Sequence, residues 1–232
     1  MKLQGPAARP VDLAFLHTAQ VHVATFDDLV HELAPGCRVT HLVRPDLLAD
    51  AQRWGAEDRR VVRGTEDALR AAGQCGARAV VCTCSTLGPI AERLPAEPGY
   101  TVARLDRAMA DQAVALGPDV LVVVALPATL TSTLALLESS ALQLHRPLRL
   151  RSLVVEQAWS HFLAGDTAAY AAIIAATVRA DTGPRDAVVL AQASMVPAQV
   201  LLADLGATVF TSPRAGVELA IKQLGASPRM TS

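Results

Sequence analysis

The feature that most constrains this chain is a run that occurs twice. Ala79-Val-Val-Cys-Thr-Cys-Ser-Thr-Leu-Gly88 and Ala187-Val-Val-Leu-Ala-Gln-Ala-Ser-Met195 share an apolar start and lie 108 positions apart. A short unbroken apolar run is the pattern of a strand covered on both faces, as in a parallel sheet. Aligning the two sets Gln192 against Cys84, Ala193 against Ser85 and Ser194 against Thr86. In each copy the strand runs directly into small and hydroxyl-bearing residues, then into a predicted helix. Such residues sit at the carboxyl end of a strand, where open α/β sheets bind ligands. An offset close to half the chain predicts two related lobes, with a thiol at this position in only one.

The remaining pattern alternates strand and helix. Val11 to Leu16, Cys37 to Val43, Asp119 to Leu126, Leu148 to Val155 and Thr208 to Phe210 read as further strands. Helical spacing marks Phe26 to Leu33, Pro45 to Trp54, Glu66 to Ala72, Leu105 to Leu116, Thr129 to Leu142, Gln157 to Leu163 and Thr167 to Ala180. Further helices are predicted from Pro89, Pro197 and Pro213. Pro35-Gly36 and Gly117-Pro118 read as stops and Asp166 as an N-cap. The expected fold is α/β: two pseudo-symmetric lobes, each a parallel sheet flanked by helices, with the active site in the cleft between them. Residues 1–104 are assigned to lobe one and 105–206 to lobe two. Residues 207–232, the last strand and helix, are expected to return to lobe one.

Composition narrows the class. The chain of 232 residues is 51% hydrophobic but only 3% aromatic, so Ala, Val and Leu must fill the core. Lys and Arg number 21 against 22 Asp and Glu, and no basic stripe stands among aromatics, so no nucleic-acid partner is expected. Apolar runs such as Val120 to Leu126 are too short to span a bilayer. Met1 to Pro10 lacks the apolar core of a signal peptide. No membrane partner and a cytoplasmic location are therefore expected, with Cys37, Cys75, Cys82 and Cys84 reduced. Cys82-x-Cys84 is not a zinc-knuckle spacing and no second Cys/His pair follows it, so no metal is expected. A site made from Cys75, Cys82 and Cys84 is the alternative.

Five motifs stand in a particular order. His17-Thr18 follows the first strand and Cys84-Ser85-Thr86 the third. A Thr-rich turn from Ala125 to Thr133 follows the fourth, Ala191-Gln192-Ala193 follows the partner of the third, and Ser212-Pro213-Arg214 opens the last helix. In this order and spacing the chain resembles the aspartate/glutamate racemase superfamily. That group includes hydantoin racemases, maleate isomerases and arylmalonate decarboxylases. The resemblance implies a cofactor-independent isomerase of racemase or epimerase type, acting on a small carboxylate, with a homodimer as the expected assembly. It also implies two thiols, one on each side of the substrate. Here the second is replaced by Gln192, and the first hydroxyl of the Thr-rich turn by Ala125.

The chemistry of the residues runs beside that resemblance. A proton alpha to a carboxylate is weakly acidic, and the enediolate left by its removal needs electrostatic stabilisation. Ser85, Thr86, Thr129 and Ser194 can supply hydroxyl donors for substrate binding, with His17, Thr18 and Gln192 beside them. Cys84 is the expected catalytic group. A free thiol has a pKa of about 8.5, and a helix amino terminus is expected to lower it. With one thiol the residues themselves favour a decarboxylase or lyase. A racemase using His17 or His22 as second base, a cysteine nucleophile and a non-catalytic carboxylate binder remain open. Cys84 as a buried small residue, Ser85, Thr86 and Thr129 as helix caps, and His17 as a satisfied loop histidine are the structural alternatives. Trp54 and Trp159 read as packing.

Overall fold

Four short strands are almost wholly buried, and each pair of them forms the centre of a sheet. These are β1 (Leu13–His17) with β3 (Ala79–Cys82), and β5 (Asp119–Val124) with β7 (Ala187–Leu190). The computed structural model describes residues 11–95 and 98–226; the reading of Met1 to Pro10 lies outside them. The edges are half-exposed: β2 (Val39–Val43) and β4 (Thr101–Arg104) in the first sheet, β6 (Arg149–Val154) and β8 (Thr208–Thr211) in the second. Both sheets are parallel, ordered β2-β1-β3-β4 and β6-β5-β7-β8. Leu13 pairs with Ala79 in one and Val120 with Ala187 in the other, so the duplicated runs occupy equivalent registers.

Alternation along the central strands sends side chains to both faces. In lobe one, Ala14, Leu16, Val80 and Cys82 pack on α2 (Pro45–Trp54), α3 (Arg59–Gln74) and α4 (Gly88–Arg93). The opposite face, Leu13, Phe15, Ala79 and Val81, meets Phe26 and Val30 of α1 (His22–Leu33) and Val217 and Ala220 of α10 (Ser212–Ala226). In lobe two, Val120, Val122, Ala187 and Val189 meet Met109, Ala110, Ala113 and Val114 of α5 (Arg107–Leu116), with α6 (Leu130–Leu144) alongside. The other face takes α7 (Glu156–Leu163), α8 (Thr167–Ala180) and α9 (Val196–Leu201). Each sheet is thus covered in part by the helix that follows the other sheet's last strand. Asp166 caps α8, accepting from Ala169 N–H at 3.0 Å.

One expectation is corrected. The last strand does not return to lobe one: β8 pairs with β7, Thr208 opposite Ala187. The expectation rested on lobe two already having its full set of strands, and that count was short because β4 was missed. β4 has only one buried residue, Arg104, and no apolar run to announce it. Its counterpart β8 takes the same place in the second sheet. Only α10 crosses back, and it does so closely. A Cβ at Gly216 would meet the Leu105 carbonyl oxygen well inside van der Waals contact.

Candidate active site

A cavity of about 300 Å³ lies where the carboxyl ends of β1, β3, β5 and β7 face one another across the two lobes. Lobe one contributes Thr18, Ala19 and His22 from the end of β1 onward, Leu48 and Gln52 from α2, and Thr83 to Thr86 after β3. Lobe two contributes Leu126 and Thr129, the α7 residues Trp159, Phe162 and Leu163, and Gln192 to Ser194. The two duplicated runs therefore meet at one cavity, each with its post-strand turn.

Cys84 is partly exposed on the lobe-one side. Burial pushes its thiol up, against the expected lowering by a helix terminus. α4 begins only at Gly88 and has six residues, so turn groups rather than a helix face the sulfur. The Thr18 and Thr86 hydroxyls and the Leu87 and Thr86 N–H groups near it favour the thiolate and oppose the rise. The resting group is a thiol, with donors already arranged for the thiolate that forms when its proton leaves. Cys82, two residues back, is buried and its thiol is pushed far up. Cys75 is exposed beyond α3, so the three cysteines are not gathered for a metal. Among the described residues no group of three or more His, Cys, Asp or Glu is arranged to hold one.

The hydroxyls divide into two sets. Ser85 Oγ donates across the lobes to the Ala191 carbonyl at 2.8 Å. Thr86 Oγ1 and Thr129 Oγ1 lie 3.1 Å apart, also across the lobes. Both contacts are buried and tie the two post-strand turns together at the cavity floor. Thr129 also anchors its own helix, its carbonyl accepting from Ser132 and Thr133 hydroxyls at 2.9 Å. Ser194 Oγ lies 2.9 Å from the hydroxyl of Tyr170, whose burial pushes its pKa up to about 12.

Gln192 lines the same cavity as Cys84, from the lobe-two side. Its Oε1 accepts the N–H groups of Ala125 and Leu126 at 2.6 and 3.2 Å. Two donors on one atom fix that atom as oxygen and leave the NH2 group as the donor end. Aligning Leu13 with Val120 sets Ala125 opposite Thr18. In lobe one the Thr18 side chain supports Cys84; in lobe two the backbone of Ala125 holds Gln192.

His17 does not line the cavity. It is fully buried behind the floor, Nδ1 2.8 Å from Thr83 Oγ1 and Nε2 2.8 Å from His41 Nδ1. His41 Nε2 in turn reaches Asp27 at 3.0 Å. Burial and the neighbouring His41 and His22 lower the His17 pKa to about 3. With both ring nitrogens occupied it is a structural group, and the expectation that it contacts substrate is corrected. Strand alternation explains this: His17 continues the inward face of Leu13 and Phe15, while Thr18 turns into the cavity. His22 lines the cavity instead, and burial lowers its pKa to about 4, so it faces the cavity as neutral imidazole.

Sequence reasoning missed the far wall. Leu48, Trp159, Phe162 and Leu163 belong to it, and Trp159 had been read as packing alone. The Trp159 and Phe162 rings stack at 4.8 Å, and Phe162 stacks on His22 at 6.4 Å. Helical spacing showed that α7 exists but carried no sign of which face meets the other lobe.

No protein-family model matches the chain, and no curated protein matches it in sequence. Solved structures match over nearly its whole length. Picrophilus torridus aspartate racemase superposes with a TM-score of 0.71 at 13% identity, over 94% of this chain and 95% of that one. Glutamate racemase from Francisella tularensis, solved with D-glutamate, gives 0.67 at 12% identity over 96% and 84%. Allantoin racemase from Pseudomonas fluorescens gives 0.57 at 18% identity over 96% and 99%. At these identities what is shared is the fold, and it is the two-lobed parallel arrangement expected from the resemblance.

Proposed function

We propose that the protein is a cofactor-independent enzyme of the racemase, epimerase or isomerase type, moving a proton at the carbon alpha to a carboxylate through Cys84. The observation that carries this is the place of Cys84 on the interlobe cavity, among the Thr18, Ser85 and Thr86 side chains. A thiol so held gives up a proton and leaves a thiolate already solvated by fixed dipoles. The Cys84 thiolate takes the alpha proton as the C–H bond breaks, the electron pair of that bond moves into the carboxylate to give an enediolate, and the thiol then returns a proton to the alpha carbon. Thr129, Ser194 and the Gln192 amide lie on the same cavity and can donate to that charge. The shared fold with aspartate, glutamate and allantoin racemases supports the assignment.

A second reading, a single-thiol decarboxylase or lyase, is favoured by Gln192 and by the raised Cys84 thiol. Among the described residues the lobe-two wall offers only Gln192, Thr129 and Ser194 as polar side chains, none a base near neutral pH. In that reaction the bond to a departing carboxylate breaks as carbon dioxide leaves, and its electron pair stays as the enediolate. The alpha carbon then takes the proton of Cys84 Sγ, and solvent returns one to the thiolate.

Incubation in deuterated water with amino acids, hydantoins and malonates tests both readings. Deuterium at the alpha carbon of recovered substrate, reduced at least 100-fold in Cys84→Ala, is the expected result for the first. Carbon dioxide release with deuterium only in the product identifies the second. A covalent mass adduct on Cys84 would replace both with a nucleophile. Ligand-dependent thermal stabilisation without turnover would leave a carboxylate binder.

A further inference from the structure

Asp27, His41 and His17, which the proposed reaction does not use, form an unbroken hydrogen-bonded chain from the surface to Thr83 at the cavity. We propose that this chain binds one proton, held on His41, and that its uptake and loss turn the Thr83 hydroxyl and set the charge behind Cys84. His17 and His41 are then positioning residues that act on the thiol through Thr83.

The direction of each hydrogen bond is forced from the inner end. Thr83 Oγ1 lies 3.0 Å from the Leu16 carbonyl oxygen, which can only accept, so Thr83 donates. Its oxygen therefore accepts from His17 Nδ1–H at 2.8 Å. His17 is fully buried and held neutral, so its Nε2 carries the lone pair and accepts from His41 Nδ1–H at 2.8 Å. His41 Nε2 then also donates, to the Asp27 carboxylate at 3.0 Å. These four contacts need four protons, and Thr83 with two neutral imidazoles supplies three. The fourth makes His41 an imidazolium. Asp27 is half-exposed, and such a carboxylate holds a shared proton far less well than an imidazole does.

Without that proton the chain can run only in the opposite sense. His41 keeps Nε2–H towards Asp27, its Nδ1 accepts from His17 Nε2–H, and His17 Nδ1 accepts from Thr83. The Thr83 hydroxyl leaves the Leu16 carbonyl, which keeps the Thr83 N–H at 3.0 Å. The His41–Asp27 pair is neutral with the proton and carries one negative charge without it. Thr83 lines the cavity directly before Cys84, and a negative charge behind that thiol disfavours its thiolate.

The surroundings of His41 leave this pair in control. Val39 and Phe15 share its face, which meets α1, whereas Leu42 turns to the α3 side. From β1 comes His17, and from α1 come Asp27 and His22, the latter neutral through burial. Elsewhere on α1, Asp28 and Glu32 line a separate cavity, where Arg214 of α10 bonds to Glu32 and pairs with Glu218, and His31 is exposed. Arg44, at the end of β2, is bonded to Asp46.

The test uses the whole protein, isotope-labelled at histidine ring nitrogens and threonine methyl groups, with iodoacetamide as the probe of Cys84 and its adduct followed by mass on the Cys84 peptide. His41 should carry both ring protons at low pH. As it loses one, His17 should change from the Nδ1–H to the Nε2–H tautomer and the Thr83 signal should move at the same midpoint. Asp27→Asn keeps a hydrogen-bond acceptor but not the charge, and should lower that midpoint by about one pH unit. His41→Gln should slow alkylation of Cys84 about three-fold below the wild-type midpoint and match wild type above it. Slowing by the same factor at every pH would make His41 a packing group only and overturn the proposal. A His17 tautomer that stays fixed while His41 titrates, or a midpoint that Asp27→Asn leaves in place, would overturn it as well. Neither measurement needs a substrate, so the outcome is independent of the reaction assigned to Cys84.

Discussion

A thiol that starts protonated and a thiol that starts ionised do different chemistry, and Cys84 is built as the first kind. Its burial outweighs the nearby hydroxyl and N–H groups of Thr18, Thr86 and Leu87 that favour the thiolate, so its pKa lies above the ordinary value. The sign of the pH dependence follows. If Cys84 acts as proton donor, turnover holds through pH 8.5, where about half of a free thiol has ionised, and falls only at higher pH. If it must first act as base, the rate climbs over the same interval. A pH–rate profile with the substrates above separates the two: a climbing rate is expected for the proposed alpha-proton exchange, and a rate that holds and then falls would favour the decarboxylase. Cys84 itself was legible in the sequence because it ends an apolar strand that recurs without it. The role of His17 was not, because one position along a strand decides whether a side chain enters the cavity or the core.

The elements were legible in proportion to their burial. β3 and β7 are buried at every position and read directly as apolar repeats. β4 and β8 are four-residue edges, mostly half-buried and with a single buried residue, Arg104, between them, and only β8 was anticipated, in the wrong sheet. The hydrophobic spacing of α7 marked it as a helix, whereas its contact with the opposite lobe depends on how the two sheets face each other. α10 shows a constraint of the same tertiary kind. Gly216 lets it approach the junction between β4 and α5, where any Cβ would collide with the Leu105 carbonyl. Gly216→Ala raises intrinsic helix propensity by about 1 kcal/mol, yet it forces two backbones apart. A net loss of about 1–3 kcal/mol is expected from such overpacking, read as a lower urea midpoint with unchanged slope. A gain in stability would show that α10 can slide.

For the molecule as a whole, buried neutral imidazoles tie stability to pH. His17 and His22 have folded pKa values of about 3 and 4, against 6.5 when exposed. Between these limits the unfolded chain binds protons that the folded chain does not. Their contribution is therefore complete above pH 6.5 and is lost as pH falls towards the folded values. The slope is at most about 1.4 kcal/mol per pH unit for each histidine. Between pH 6.5 and 5, where most carboxylates stay ionised, equilibrium unfolding should show this decline. His17→Phe should flatten it, and an unchanged slope would mean that the group responsible lies elsewhere. The exchange of α5 and α10 between the lobes, with Ser85 bonded to Ala191 and Thr86 to Thr129 beneath the cavity, bears on how anything reaches the site. Lobes laced together in this way cannot part about a hinge without stripping a helix from a core. Ligand entry and release are then expected to depend on side-chain and single-helix motion rather than on domain opening.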